Sequence, residues 1–167
     1  MKRNALLLLA AMSLSTGVAG TSVAATAGAA PGHKHEHGSE KAMATLQLNA
    51  GKKWETDAAL RQAMGNLREA MAASLHKIHE NRLSKDGYAS LAKKVESEVG
   101  NIVANCKLGT QADEQLHLVI TDLLAGAEQM AGKAKAVKRR DGAVRVIGAL
   151  EKYGNYFDDP SFKQISH

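Results

Sequence analysis

The sequence predicts an all-α protein, an up-down-up-down four-helix bundle preceded by a signal peptide and a flexible His-rich segment. Three observations carry this. Apolar residues recur at spacings of three and four in four separate segments. No segment alternates with period two over a useful length, so no strand is expected. The first two connections are short, which favours antiparallel neighbours, and four amphipathic helices so linked bury their stripes most simply as a bundle.

The chain has 167 residues and opens with Lys2-Arg3, an apolar run over 5–12 and then small residues. A basic start, a short apolar core and a small-x-small site are the parts of a secretory signal peptide. Cleavage after Ala24 or Ala25 is expected, so residues 1–25 read as the signal and the mature protein as periplasmic or otherwise secreted. No later segment approaches the ~20 apolar residues that spanning requires, so no stable membrane insertion is expected after cleavage.

Losing Lys2 and Arg3 leaves 20 basic against 17 acidic side chains, a mild excess. Such a diffuse excess does not form a groove-binding stripe, and no nucleic-acid partner is expected. Cys106 is the one cysteine, so no internal disulfide can form and the domain stands on its core.

Residues 26–45 are mostly Ala, Gly, Pro, Ser, His and Lys, too poor in large apolar side chains to offset their ordering entropy; they read as a tether. The bundle then occupies 46–167, with helices expected near 56–82, 86–106, 111–132 and 142–158. The first carries Leu60, Met64, Leu67, Met71, Leu75 and Ile78, with Thr56 or Asp57 as its cap. The second, beginning between Ser84 and Asp86, carries Tyr88, Leu91, Val95, Val99, Ile102 and Cys106. Thr110 is the expected cap of the third, with Asp113 three residues on as a variant of the capping box. Its stripe is Leu116, Val119, Ile120, Leu123, Leu124, Ala127 and Met130. The fourth runs from Asp141-Gly142 through Val144, Ile147, Leu150, Tyr153 and Phe157, and Asp159-Pro160 ends it.

Four constellations could carry chemistry. His33, His35 and His37 stand at alternate positions, with Glu36 among them. Neutral imidazoles are common ligands of copper, zinc and nickel, and a flexible tract can wrap a divalent cation. The competing reading is a solvated linker. Met64, Cys106 and His117 should fall at one end of the bundle, and thioether, thiolate and imidazole suit copper, Cu(I) especially. Ordinary core packing competes there, because Met and Cys commonly fill cores. His76 and His79 form an i, i+3 pair without an evident third ligand, and histidines at a helix C-terminus also satisfy the local dipole. The basic run Lys133, Lys135, Lys138, Arg139 and Arg140 could touch anionic headgroups or simply be solvated. Glu114-x-x-His117 occurs only once, whereas di-iron bundles need the motif twice.

Four stretches carry a resemblance: 46–54 (LQLNAGKKW), 103–108 (VANCKL), 117–126 (HLVITDLLAG) and 153–158 (YGNYFD). Together they resemble small exported bacterial proteins labelled DnrO, which also have a His-rich leader. That likeness implies one coherent domain and says little of its role. At fold level the chain also resembles periplasmic four-helix cytochromes. Their c-type attachment needs Cys-x-x-Cys-His, absent here. The b-type pairs an early methionine, for which Met64 could stand, with a histidine late in helix four. No histidine lies there, and His167 falls well beyond it.

The function expected is non-enzymatic binding of copper, with zinc second, for sequestration or handover to an envelope partner. The tether would capture the metal, and the Met64–Cys106–His117 end would hold it. A haem-binding bundle and an adaptor module with incidental histidines are the alternatives.

Overall fold

A computed structural model describes residues 45–165. Four helices follow in order: α1 (Ala58–His79), α2 (Lys85–Asn105), α3 (Thr110–Ala131) and α4 (Arg139–Tyr156). Each packs against its neighbours in the chain, and α1 closes the ring against α4. The antiparallel order is fixed at both ends. Arg140 Nε donates to the Ile78 carbonyl at 3.1 Å, tying the start of α4 to the end of α1. At the other end the Trp54 amide donates to the Tyr156 carbonyl at 2.8 Å. None of the four helices is long and apolar enough to cross a membrane. The signal peptide and the histidine tract lie outside the described residues.

The stripes read from the sequence form most of the core. Leu60, Met64, Leu67, Met71 and Ile78 of α1 meet Tyr88, Leu91, Val95, Val99 and Ile102 of α2. Leu116, Val119, Leu123, Ala127 and Met130 of α3 complete it with Val146, Ile147, Leu150 and Tyr153 of α4. Val144 is the exception: it is 51% exposed, and Ala143 is buried instead. The inward face of α4 follows 143, 146, 150 and 153, spaced by three, four and three, and Val144 falls to one side of it. Leu124 is likewise displaced outward, at 38% exposure.

The cap of α1 follows the sequence reading, and α2 starts within the expected range behind a serine cap. Asp57 accepts the Leu60 amide at 2.8 Å, and Ser84 Oγ accepts the Gly87 amide at 3.1 Å. The start of α3 differs. Gly109 is its cap, Thr110 is already helical, and no side chain caps the turn. Similarly, α4 begins at Arg139 after Lys138, two residues before the expected Asp141, and also lacks a side-chain cap. The basic run therefore extends into the first turn of α4.

Close approach decides the α3–α4 pairing. Gly126 and Gly142 face each other so tightly that a Cβ on Gly142 would meet the Gly126 carbonyl oxygen at 2.6 Å. Gly132, at φ +77°, ends α3 in left-handed geometry, while the Lys133 amide returns to the Glu128 carbonyl at 3.0 Å.

A strap that the helical reading did not anticipate crosses the end of the bundle before α1. A tight turn at Asn49–Lys52 has Ala50 at φ +48° and Gly51 at φ +82°, the primed geometry of a two-residue hairpin loop. Trp54 then pairs with Phe157 in an isolated parallel bridge, and its indole donates to the Gln47 carbonyl at 2.6 Å.

Candidate functional site

The end of the bundle where α1 and α3 begin holds the donors that the sequence groups together, and Asp57 organises it. One carboxylate oxygen caps α1, and the other accepts the Lys107 amide at 2.6 Å, joining the start of α1 to the end of α2. Burial pushes the Asp57 carboxyl up. The two amides and the Cys106 thiol outweigh it, and the net value lies below the ordinary carboxylate range.

Cys106 caps α2 and is half-buried rather than part of the inner stripe. Burial first, and then the adjacent Asp57 charge, push its thiol up to about 12. The thiol is therefore protonated at neutral pH and hydrogen-bonded to Asp57. Metal ligation needs the thiolate, so a metal here would have to displace this proton beside a carboxylate that holds it. In the native protein at mildly alkaline pH, alkylation of Cys106 by iodoacetamide should run at least ~100-fold slower than in denaturant. A mass-resolved time course checks this, and equal rates would contradict the protected thiol.

The remaining two donors occupy different surroundings. Met64 is 0% exposed, its thioether sealed by the core. His117 flanks the inward stripe of α3 and faces outward: its side chain is 66% exposed. Its Nδ1 lies 2.8 Å from the Asp113 carbonyl oxygen, which can only accept, so Nδ1 donates, and it also lies 3.4 Å from Asp113 Oδ2. The reason is helical geometry. Leu116, Val119 and Leu123 define the inward line, and residue 117 lies a further ~100° round the helix from 116. The set thus divides into a sealed thioether, a protonated thiol and an outward imidazole.

A cavity of about 360 Å³ opens at this end, between the strap and the start of α3, and none of these three donors lines it. Trp54, Thr56, Asp57, Lys107, Thr110 and Gln111 are among its walls. Among the described residues no group of three or more His, Cys, Asp or Glu side chains is placed to hold a metal ion.

At the opposite end, His76 Nε2 lies 3.1 Å from a Glu80 carboxylate oxygen and is largely exposed. His33, His35 and His37 lie outside the described residues.

The sequence reading missed a second polar node beside the strap. The Tyr153 hydroxyl, fully buried, donates to Asp159 Oδ2 at 2.9 Å. The Ser161 amide and hydroxyl donate to Asp159 Oδ1 at 3.0 and 2.6 Å. Burial, and next this carboxylate, raise the Tyr153 phenol above its ordinary value, keeping it a neutral donor. The sole signal in the sequence is Asp159-Pro160, which reads equally well as a helix stop.

No family model matches the chain, and no curated protein or solved structure matches it.

Proposed function

We propose that this is an exported, non-enzymatic metal-binding protein of the bacterial cell envelope. His33, His35 and His37 capture copper first and zinc second, and the bundle is the body that carries them. The observation that carries the reading is the tract itself. Three of the chain's seven histidines fall within five residues, at alternate positions, in a segment otherwise poor in large side chains. Neutral imidazoles are borderline donors that suit both metals. Handover to an envelope partner calls for modest affinity, because tight binding would oppose release.

Confining the site to the tract is supported by the state of the other donors: a sealed Met64, a protonated Cys106 and an outward His117. The test is a copper titration of the mature chain against a triple variant, His33→Ala, His35→Ala and His37→Ala. The parent should bind about one equivalent that the triple variant loses, while Cys106→Ser and Met64→Leu retain it. Unchanged stoichiometry in the triple variant would sink the reading. A coloured protein with a Soret band would replace it with haem binding, and a chain that takes up nothing would leave an adaptor module.

A further inference from the structure

The charge on the bundle is unevenly placed along its length. The end where α1 and α3 finish, over 76–87 and 128–142, carries eight basic side chains against four acidic ones. The opposite end, over 45–61, 104–117 and 150–165, carries six against seven. The basic end is concentrated in the α3–α4 connection, where Lys133, Lys135 and Lys138 precede Arg139 and Arg140 in the first turn of α4. Lys77, Arg82 and Lys85 flank it from the α1–α2 connection.

Several of these cations are uncommitted. Lys77, Lys85, Lys135 and Lys138 are exposed, and their ammonium groups have no hydrogen-bond or ion-pair partner among the described residues. Lys133 reaches Glu96 at 3.3 Å, and Glu80 is already taken by Arg82 and His76. Their placement also opposes local stability. The N-terminus of a helix carries partial positive charge, where cations are disfavoured. Yet Lys138, Arg139 and Arg140 stand there on α4, with Asp141 as the one acidic residue of that turn. Arg139 and Arg140 offset this by donating to the Met130 and Ile78 carbonyls that end α3 and α1, whereas Lys138 has no such partner and its charge is available outside the fold.

An apolar side chain sits in the middle of this charge. Val137 is 38% exposed and follows Ala136, which adopts the left-handed region at φ +60°. The loop thus presents a partly exposed valine flanked in the chain by Lys135 and Lys138. Lysine is a hydrated point charge on a long stem, suited to diffuse attraction, whereas fixed phosphate recognition favours the arginine fork. We infer that the basic end of the bundle is a peripheral docking surface for an anionic phospholipid bilayer, with lysines at the headgroup layer and Val137 dipping among them. An acidic protein partner is the competing occupant, but it would not require an apolar tip at the centre of the charge. This surface is independent of the histidine tract.

The test is sedimentation of the metal-free mature chain, in chelator, with phosphatidylcholine vesicles that contain or lack about one-third phosphatidylglycerol. The parent should sediment with the anionic vesicles alone, and added salt should release it. Neutralising two cations, Lys135→Gln with Lys138→Gln, should weaken partitioning about 25-fold at unchanged melting temperature, since each basic residue contributes on the order of a fivefold factor near such a surface. Val137→Ser should weaken it further. Lys52→Gln with Lys53→Gln, at the opposite end, should leave it unchanged. Equal sedimentation with both vesicle types would overturn the inference. So would equal weakening by the pair at the opposite end, or tighter binding to poly-glutamate than to the anionic vesicles.

Discussion

Replacing Gly142 by alanine should destabilise the bundle by ~2 kcal/mol, although the same change inside an unconstrained helix gains up to ~1 kcal/mol from propensity. The added methyl would lie 2.6 Å from the Gly126 carbonyl oxygen and 2.7 Å from both Gln129 Cβ and the Met130 amide nitrogen. Two of those three atoms are backbone, so relief requires α3 and α4 to separate, which loosens Leu123, Ala127 and Val146 behind them. Overpacking of this kind typically costs 1–3 kcal/mol, and rigid neighbours place it in the upper part of that range. A fall of roughly 6 °C in melting temperature is the expected readout for a domain of this size. Gly65 and Gly100, also helical, have nothing within 4 Å of the added carbon, so Gly65→Ala and Gly100→Ala should raise stability. If Gly142→Ala behaved like those two, the close α3–α4 contact would be wrong.

Asp159→Ala should cost ~3 kcal/mol, measured by chemical denaturation. The carboxylate accepts from Tyr153, the Ser161 amide and the Ser161 hydroxyl, and its loss would strand the buried Tyr153 hydroxyl without a partner. Hydrogen bonds to a charged acceptor contribute ~1.5–3 kcal/mol, and an orphaned buried donor carries a further penalty. The segment after α4 would also loosen. Phe162 packs edge-on against Tyr153 at 5.0 Å, and the Lys163 carbonyl accepts from Arg68 Nε at 2.6 Å. A double-mutant cycle with Tyr153→Phe isolates the pair. Removing the stranded hydroxyl should recover ~1 kcal/mol or more of the Asp159→Ala loss. Additive losses would show that the two groups do not interact.

These two positions also show where sequence reasoning reached and where it stopped. The stripes of α1 and α2 were legible because a 3.6-residue period is local, and Asp57 was legible because a cap acts within its own first turn. The Gly126–Gly142 contact joins residues on different helices, and no periodicity marks one glycine as a contact point and Gly100 as surface. Asp159 and Tyr153 are six residues apart, yet their bond depends on the chain folding back after Asp159-Pro160. The strap over 45–54 was hidden for the same reason: Trp54 is anchored by Gln47, Tyr156 and Asp158, the last two about a hundred residues away. Val144 and Leu124 were misplaced by less than one helical turn, because a stripe drawn from composition is wider than the line that packs.

The candidate metal donors divide along the same boundary. Connectivity correctly assigned Cys106 and His117 to helix ends at one pole of the bundle. It could not foresee that Asp57 would take up the Cys106 thiol, or that His117 would turn onto the Asp113 carbonyl. Both outcomes depend on side-chain partners supplied by the fold. What remains of the metal reading rests on His33, His35 and His37, whose chemistry is local to the sequence.

The most direct measurement is X-ray absorption at the zinc edge on the mature chain after one equivalent of zinc has been carried through gel filtration. Zinc is suited to this because it has no redox change and its bond lengths separate the donor classes. The account predicts a first shell of nitrogen and oxygen at ~2.0–2.1 Å, with imidazole scattering that the triple histidine variant loses. A sulfur shell at ~2.3 Å would bring Cys106 or Met64 back as a ligand and contradict the assignment of the metal to the tract.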